Sequence, residues 1–254
     1  MAASELQAIY VMWLREMKRF IRSKSRILGM IIQPIFFLVI LGSGFSKASI
    51  GTVQEGEYIN FLAPGIVTMA ILFSSMFTGI SVLWDRQFGF LQEVLVAPIS
   101  RFSIILGRTL GGATTALIQG FIILGISLAL GIKISSIFGL LLTIVFMIMV
   151  AFTAVGFGLV IASRMENFQG FQIIMNLIIM PLLFLSSAFF PVNTIPQMQT
   201  IAHFNPMFYM VDGLRGSLTG TDYIYNPLLN LGIVFVIMLV MMIIGSYSFS
   251  KCEA

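Results

Sequence analysis

Six runs of about 20 residues, each nearly free of charge, dominate the sequence. They are Ile27 to Phe45, about Ile59 to Trp84, roughly Ile104 to Leu130, Ile134 to Ser163, about Phe171 to Phe190, and Leu228 to Phe249. A helix of that length reaches across the ~30 Å hydrocarbon core of a bilayer. Only helices and closed barrels satisfy their backbone polar groups there. The runs predict an all-α polytopic membrane protein with six transmembrane helices, built as a single transmembrane domain over residues 1–254. No remaining segment is long enough for a soluble catalytic domain. Composition points the same way: 58% of residues are hydrophobic and 9% charged, whereas soluble domains carry about 25% charged residues. A soluble enzyme, a disordered chain and a nucleic-acid-binding domain are excluded. The single cysteine, Cys252, excludes an intrachain disulfide and a CxxC metal site. Most of the 24 Phe and 17 Met read as lipid-facing or packing residues.

Residues 1–26 lack the short basic region and apolar core of a cleavable signal peptide. Leu6, Ile9, Tyr10, Trp13, Met17, Phe20 and Ile21 recur at helical spacing, with Arg15, Lys18, Arg19, Arg22, Lys24 and Arg26 among them. That pattern predicts an amphipathic basic helix lying in the membrane interface. Orientation follows from the loop charges. With the N-terminus in the cytoplasm, eleven basic residues fall on the cytoplasmic side: those six, Arg86, Arg101, Arg108, Arg164 and Lys251. Three, Lys47, Lys133 and Arg215, fall outside. The asymmetry supports six spans with both termini in the cytoplasm of a multi-pass cell-membrane protein.

The span centres carry no ionisable residue; the acids are expected in loops or at span ends, Asp85 among them. A proton- or ion-coupled carrier would ordinarily keep such groups at depth. There is no HExxH and no GxxxxGK[ST] motif, so neither a zincin site nor a Walker nucleotide site is present. His203, with Asp212 nine residues on, reads as a loop residue. Gln33, Gln119, Gln172 and Asn176 are polar residues inside spans, suited to interhelical hydrogen bonds or to a polar part of a substrate. Pro34 and Pro181 should kink their helices. Gly107 and Gly111 form a GxxxG, beside Gly112, which predicts close helix packing.

Two segments differ from plain loops. Residues 85–101, on the cytoplasmic side, carry Phe88, Leu91, Val94 and Leu95 at helical spacing before Ala97-Pro98. A short amphipathic helix there would either lie on the membrane or dock into a groove on a cytoplasmic partner. Residues 191–227 are apolar and punctuated by Pro191, Pro196, Pro206 and Pro227. They predict short helices dipping back into the outer leaflet, where irregular backbone must be buried in protein or line a cavity.

These segments resemble the type-2 ATP-binding-cassette exporter permease family. The cytoplasmic pattern is carried by Arg86, Leu91, Glu93, Leu95, Pro98, Ser100, Arg101, Gly107 and Arg108. The usual Gly-Thr-Leu-Glu reads here Gly89-Phe90-Leu91-Gln92-Glu93, with Phe for Thr and Gln92 intervening. Outside, Ser187-Ala188-Phe189-Phe190-Pro191, Ile195-Pro196, Asn205-Pro206 and Gly213-Leu214-Arg215-Gly216 are similar to the family, as is Gln33-Pro34. The resemblance implies that two permeases, identical or related, associate above two copies of a separate ABC ATPase. Residues 85–101 would be the coupling helix, with Arg86, Phe88, Leu91, Glu93, Val94, Leu95, Pro98, Ser100 and Arg101 meeting the ATPase. Residues 1–26 would be the connecting helix and 191–227 the extracytoplasmic re-entrant hairpin. The substrate (drug, lipid or glycan-lipid) would move outward along the dimer interface, bounded by the first, second and fifth spans.

The resemblance and the missing couplers agree: energy must come from outside the chain. The chain itself is expected to be non-catalytic and to bind no cofactor or metal, with ATP and Mg2+ held by the partner ATPase. Membrane lipid is an expected partner and nucleic acid is not. Gln33, Phe37, Phe73, Phe77, Asn176 and Phe184 are the candidates for lining the path. The rival readings are a gradient-driven carrier or channel, and a membrane scaffold without a transport path.

Overall fold

The computed structural model describes residues 2–45, 53–54, 56–90, 96, 99–192 and 196–250. The described residues form nine helices: α1 Ala2–Arg22, α2 Lys24–Gly44, α3 Tyr58–Gln87, α4 Arg101–Ala129, α5 Ile137–Ala162, α6 Phe168–Phe184, α7 Pro196–His203, α8 Pro206–Leu218 and α9 Pro227–Ser250. The chain is an all-helical polytopic membrane protein. Side chains set the starts of α4, α5, α6 and α8: Ser100, Ser136, Asn167 and Asn205 each accept from a backbone N–H of the first turn.

Five helices, α2, α3, α4, α5 and α9, are long and apolar enough to cross a bilayer. The fifth apolar run is the exception. It was expected to reach Phe190, but α6 stops at Phe184 after 17 residues, about 26 Å at 1.5 Å per residue. The reason is local. Pro181 brings no backbone N–H, and Ser187 adopts the left-handed region at φ 63°. Asn205 Nδ2 reaches across from α8 to the Leu182 carbonyl at 2.6 Å, satisfying one of the carbonyls left open at the end of α6.

α3 is the axis of the bundle, contacting α2, α4, α5, α6 and α8. Of its most apolar 18 residues 89% are buried, against 22% for α2 and 17% for α9. Those two outer helices present apolar side chains such as Phe36, Ile40, Phe235 and Ile243 outward, as lipid-facing helices do.

The N-terminal segment is helical and amphipathic, as expected, but its partner is protein as well as interface. Met12, Glu16 and Phe20 form a buried stripe against the bundle, while Leu6, Tyr10 and Ile21 stay exposed. α1 runs alongside α4 in the same chain direction, from Glu5 beside Ser100 to Trp13 beside Thr114. The GxxxG makes this possible. A Cβ on Gly107 would lie 2.6 Å from the Ile9 carbonyl oxygen, and one on Gly111 2.7 Å from Glu16 Cβ. Residues 191–227 contain two short helices, α7 and α8. The second is almost wholly buried, against α3, α5, α6 and α9.

Candidate functional site

Charge gathers where α1, α3 and α4 meet. Asp85, near the end of α3 and 2% exposed, receives Arg15 Nη1 at 2.8 Å, Arg19 Nη2 at 2.9 Å and Arg108 Nη2 at 2.6 Å. Arg108 is fully buried, in the second turn of α4, and its Nε and Nη1 have no hydrogen-bond partner. Glu16, also buried, accepts from Ser81 Oγ at 3.3 Å and lies 3.7 Å from Arg19. Three guanidinium groups thus face two carboxylates, so that losing the shared Asp85 would leave several cations without their anion. Burial disfavours the Arg15 charge, but the hydrogen bonds and charge of Asp85, with Glu16 adding, outweigh it and hold Arg15 above its ordinary pKa.

The same helix holds the two ends of the 85–101 segment. Besides the bond to Asp85, the Arg15 guanidinium stacks over the Phe90 ring at 3.7 Å. Glu5 accepts from Ser100 N at 3.0 Å and from Ser100 Oγ at 2.8 Å, covering the start of α4. Hydrogen bonds from Ser103 and Ser100 hold the Glu5 carboxyl below its usual value. Gln87 Nε2 donates to the Glu166 carbonyl at 3.2 Å, and Trp84 stacks on Phe168, so the end of α3 is tied to the start of α6 as well. The Arg108 guanidinium also lies 5.6 Å from the Phe249 ring of α9. The start of α4, which α1 covers, therefore also meets the end of the last helix at one end of the bundle.

At that end a cavity of about 820 Å³ opens between α2, α3 and α6. Arg26, Gln33, Phe73, Phe77, Gln172 and Asn176 line it. Gln33, Gln172 and Asn176 are exposed on helices otherwise faced with apolar side chains. Arg26 stands at its start, with the guanidinium 4.4 Å from the Phe77 ring.

Farther along α2 aromatic rings close ranks. Phe37 and Phe184 both contact Phe189, at centroid distances of 5.6 and 5.2 Å. Tyr58 donates to the Phe189 carbonyl at 2.8 Å. A second buried arginine supports this turn. Arg215, from α8, donates through Nη2 to the Ser187 carbonyl and through Nη1 to Ser187 Oγ, and lies 3.8 Å from the Phe61 ring. Its neighbour Asp212 accepts from the Ile224 and Tyr225 backbone N–H groups and from Asn230 Nδ2.

The family description "ABC-2 type transporter" matches residues 7–219, the greater part of the chain. The chain belongs to the ABC-2 type transporter family. It is 26% identical to the transport permease ycf38 of Cyanophora paradoxa, over 97% of this chain and 89% of that protein. It is 26% identical to the inner membrane transport permease YadH of Escherichia coli K12, over 85% of this chain and 84% of that protein. Nodulation protein J of Rhizobium leguminosarum is 27% identical over 87% and 85%. Transport by a membrane permease is the function of this family, and membership implies an ABC ATPase partner.

Against this ABC-2 frame the residues singled out from sequence divide. Gln33, Phe73, Phe77 and Asn176 share the cavity; Phe37 and Phe184 belong to the aromatic cluster beyond it. Of the coupling set, Arg86 and Phe88 sit at the end of α3, and Ser100 and Arg101 open α4. Phe88 is 82% exposed. Leu91, Glu93, Val94, Leu95 and Pro98 lie outside the described residues. Sequence reasoning missed Asp85, Arg108, Glu16 and Arg215 as buried charges. It counted the basic residues as cytoplasmic-side charges; the signal available was that Arg108 falls inside the run Ile104 to Leu130, near its start. His203 is not a free loop residue either: it ends α7, and its Nε2 lies 3.2 Å from the Tyr225 hydroxyl.

Proposed function

We propose that this chain is the membrane-spanning subunit of an ATP-driven exporter. It moves an amphipathic or hydrophobic substrate outward along the interface of a dimer, formed with a second copy or a related permease. Two copies of a separate ABC ATPase, which hold ATP and Mg2+, dock below; the chain itself hydrolyses nothing and binds no cofactor. Both termini face the cytoplasm, in the cell membrane. Residues 85–101 act as the coupling helix, 1–26 as the connecting helix and 191–227 as the extracytoplasmic re-entrant hairpin.

The observation that carries this reading is that α1 grips both ends of the 85–101 segment, through Asp85 and Phe90 on one side and Ser100 on the other. A push on that segment is then transmitted to α1, α3 and α4 together, because the glycine-lined contact leaves no slack between α1 and α4 and Asp85 keeps an arginine partner as the helices move. The exposed Phe88 supplies an apolar anchor for the ATPase. α3, which takes the push, also walls the cavity through Phe73 and Phe77. The aromatic cluster at Phe189 lies between the cavity and the re-entrant helices, and must part for substrate to leave.

Reconstitution with the partner ATPase in proteoliposomes tests this. ATP-dependent substrate movement is expected, together with stimulated ATPase activity. Leu91→Asp combined with Leu95→Asp should abolish transport while membrane insertion and dimer formation persist. Undiminished transport by that double variant, or transport without any ATPase, overturns the reading.

A further inference from the structure

The cavity between α2, α3 and α6 has a chemistry that its position alone does not explain. A transmembrane groove for a purely apolar substrate needs no cation. This one has Arg26 in the first turn of α2, and the Arg26 Nε is buried without a hydrogen-bond partner. A buried, unmatched guanidinium donor is costly, and the sequence has kept it facing a cavity rather than a carboxylate.

The nearby charges do not neutralise it. Glu16 and Arg19 are the charges that reach Arg26, and they oppose each other. Glu16 is engaged by Ser81 and Arg19, and Asp85 is held by Arg15, Arg19 and Arg108. The Phe77 ring, 4.4 Å from the guanidinium, fixes its plane by stacking without consuming its donors. Around Arg26 the same cavity offers uncharged amides, Gln33, Gln172 and Asn176, and apolar side chains such as Phe73, Met76 and Met180. Cation, amides and apolar wall share a volume of about 820 Å³, large enough for a head group and part of a tail.

We propose that this cavity binds an amphiphile with a phosphate-type anionic head group, Arg26 holding the anion through its planar fork. Gln33, Gln172 and Asn176 take the uncharged polar part of the head, and the apolar wall at Phe73 and Met180 takes the tail. The inference deepens the exporter reading and rests on it only for the cavity's being a transport path. Two sources supply such a head group: a transported amphiphile, or a phospholipid of the surrounding bilayer resting in the groove. The chemistry at Arg26 is the same for both.

The test uses the purified full chain in neutral detergent micelles and two fluorescent lipids, NBD-acyl phosphatidate and NBD-acyl phosphatidylcholine, titrated by anisotropy. Wild type should bind phosphatidate at least about tenfold more tightly, as charge-assisted hydrogen bonds in a partly dry site allow. Arg26→Gln should remove that preference, bringing phosphatidate binding down to the level of phosphatidylcholine. Arg26→Lys, which keeps the charge but loses the fork, should retain part of it, and covers the case in which the glutamine variant does not fold. Lys18→Gln, an exposed cation of α1 away from the cavity, should change nothing. Equal binding of the two lipids by wild type, or an unchanged preference in both Arg26 variants, overturns the proposal. So does displacement of phosphatidate by millimolar inorganic phosphate, which would reveal a bare anion site. In proteoliposomes with the ATPase, ATP-dependent flipping of phosphatidate identifies transported cargo, and stable binding without flipping identifies a resident lipid; either outcome supports the site. Arg26-dependent binding with no ATP-dependent transport of any substrate breaks the exporter reading and leaves this inference standing. Transport that is indifferent to Arg26, with no phosphatidate preference, does the reverse.

Discussion

The two ends of the bundle each bury an arginine completely, and they solve the problem differently. At the α1 end Arg108 meets a charge: Asp85, which also serves Arg15 and Arg19. At the α8 end Arg215 meets dipoles, the Phe61 and Ser187 carbonyls and the Ser187 hydroxyl, with the Phe61 ring beside it. Asp212, one turn away, is likewise satisfied by backbone N–H groups and Asn230. A carboxylate shared by three guanidinium groups can re-pair when helices shift, since its partners are interchangeable. A guanidinium locked to particular backbone carbonyls cannot. The first arrangement suits a joint that must move under load; the second suits a fixed strut that holds a turn in the left-handed region at Ser187.

The largest effect expected from this contrast is at Asp85. Asp85→Ala leaves three cations without their shared anion and should cost about 3–5 kcal/mol, the range for breaking a buried pair, read as a fall in the Tm of the purified protein. Arg215→Met should come next, at about 2–3 kcal/mol, because it strands the Ser187 and Phe61 carbonyls while relieving the burial of one charge. Gly107→Ala should cost about 1–3 kcal/mol by forcing α1 off α4, and should weaken coupling to the ATPase. Arg15→Gln should cost less than about 1 kcal/mol in stability, since two arginines remain on Asp85 and the Arg15 site is partly exposed. A larger loss there than at Arg215 breaks the distinction between interchangeable and locked partners.

The smallest effect concerns pH. Glu5 has its pKa lowered by hydrogen bonds from Ser103 and Ser100, so its contribution is complete above the ordinary value of 4.5 and fades as pH falls through the lower folded value. Glu5→Gln should flatten the Tm-against-pH curve in that acid range, lowering Tm slightly at neutral pH and leaving it nearly unchanged at the acid end. A profile identical to wild type removes Glu5 from the contacts that secure α4.

Much of the fold was legible because the bilayer is a severe solvent. A run such as Ile137–Ala162 has no alternative to a helix once it is in hydrocarbon, and Lys and Arg cannot be scattered freely about it. The GxxxG at Gly107 and Gly111 announced a close helix contact, though not its partner. The cavity residues Gln33 and Asn176 were visible as polar interruptions in apolar runs. Less legible were lengths and pairings. The fifth run is apolar to Phe190, but α6 ends at Phe184 because of Pro181, Ser187 and the reach of Asn205, only the first of which hydropathy suggests.

By itself, then, the sequence determined the class of molecule, its helical spans, the asymmetric spread of its charges and the lack of a Walker motif. These follow from the energy of each segment in lipid or water, a property summed residue by residue. The tertiary structure decided which charges are paired. Arg15 and Arg19 are far from Arg108 in the chain, and the three converge on Asp85 only because α1 lies in the glycine groove of α4 beside the end of α3. Burial of a charge is a property of the assembled surroundings, which no local window of sequence contains.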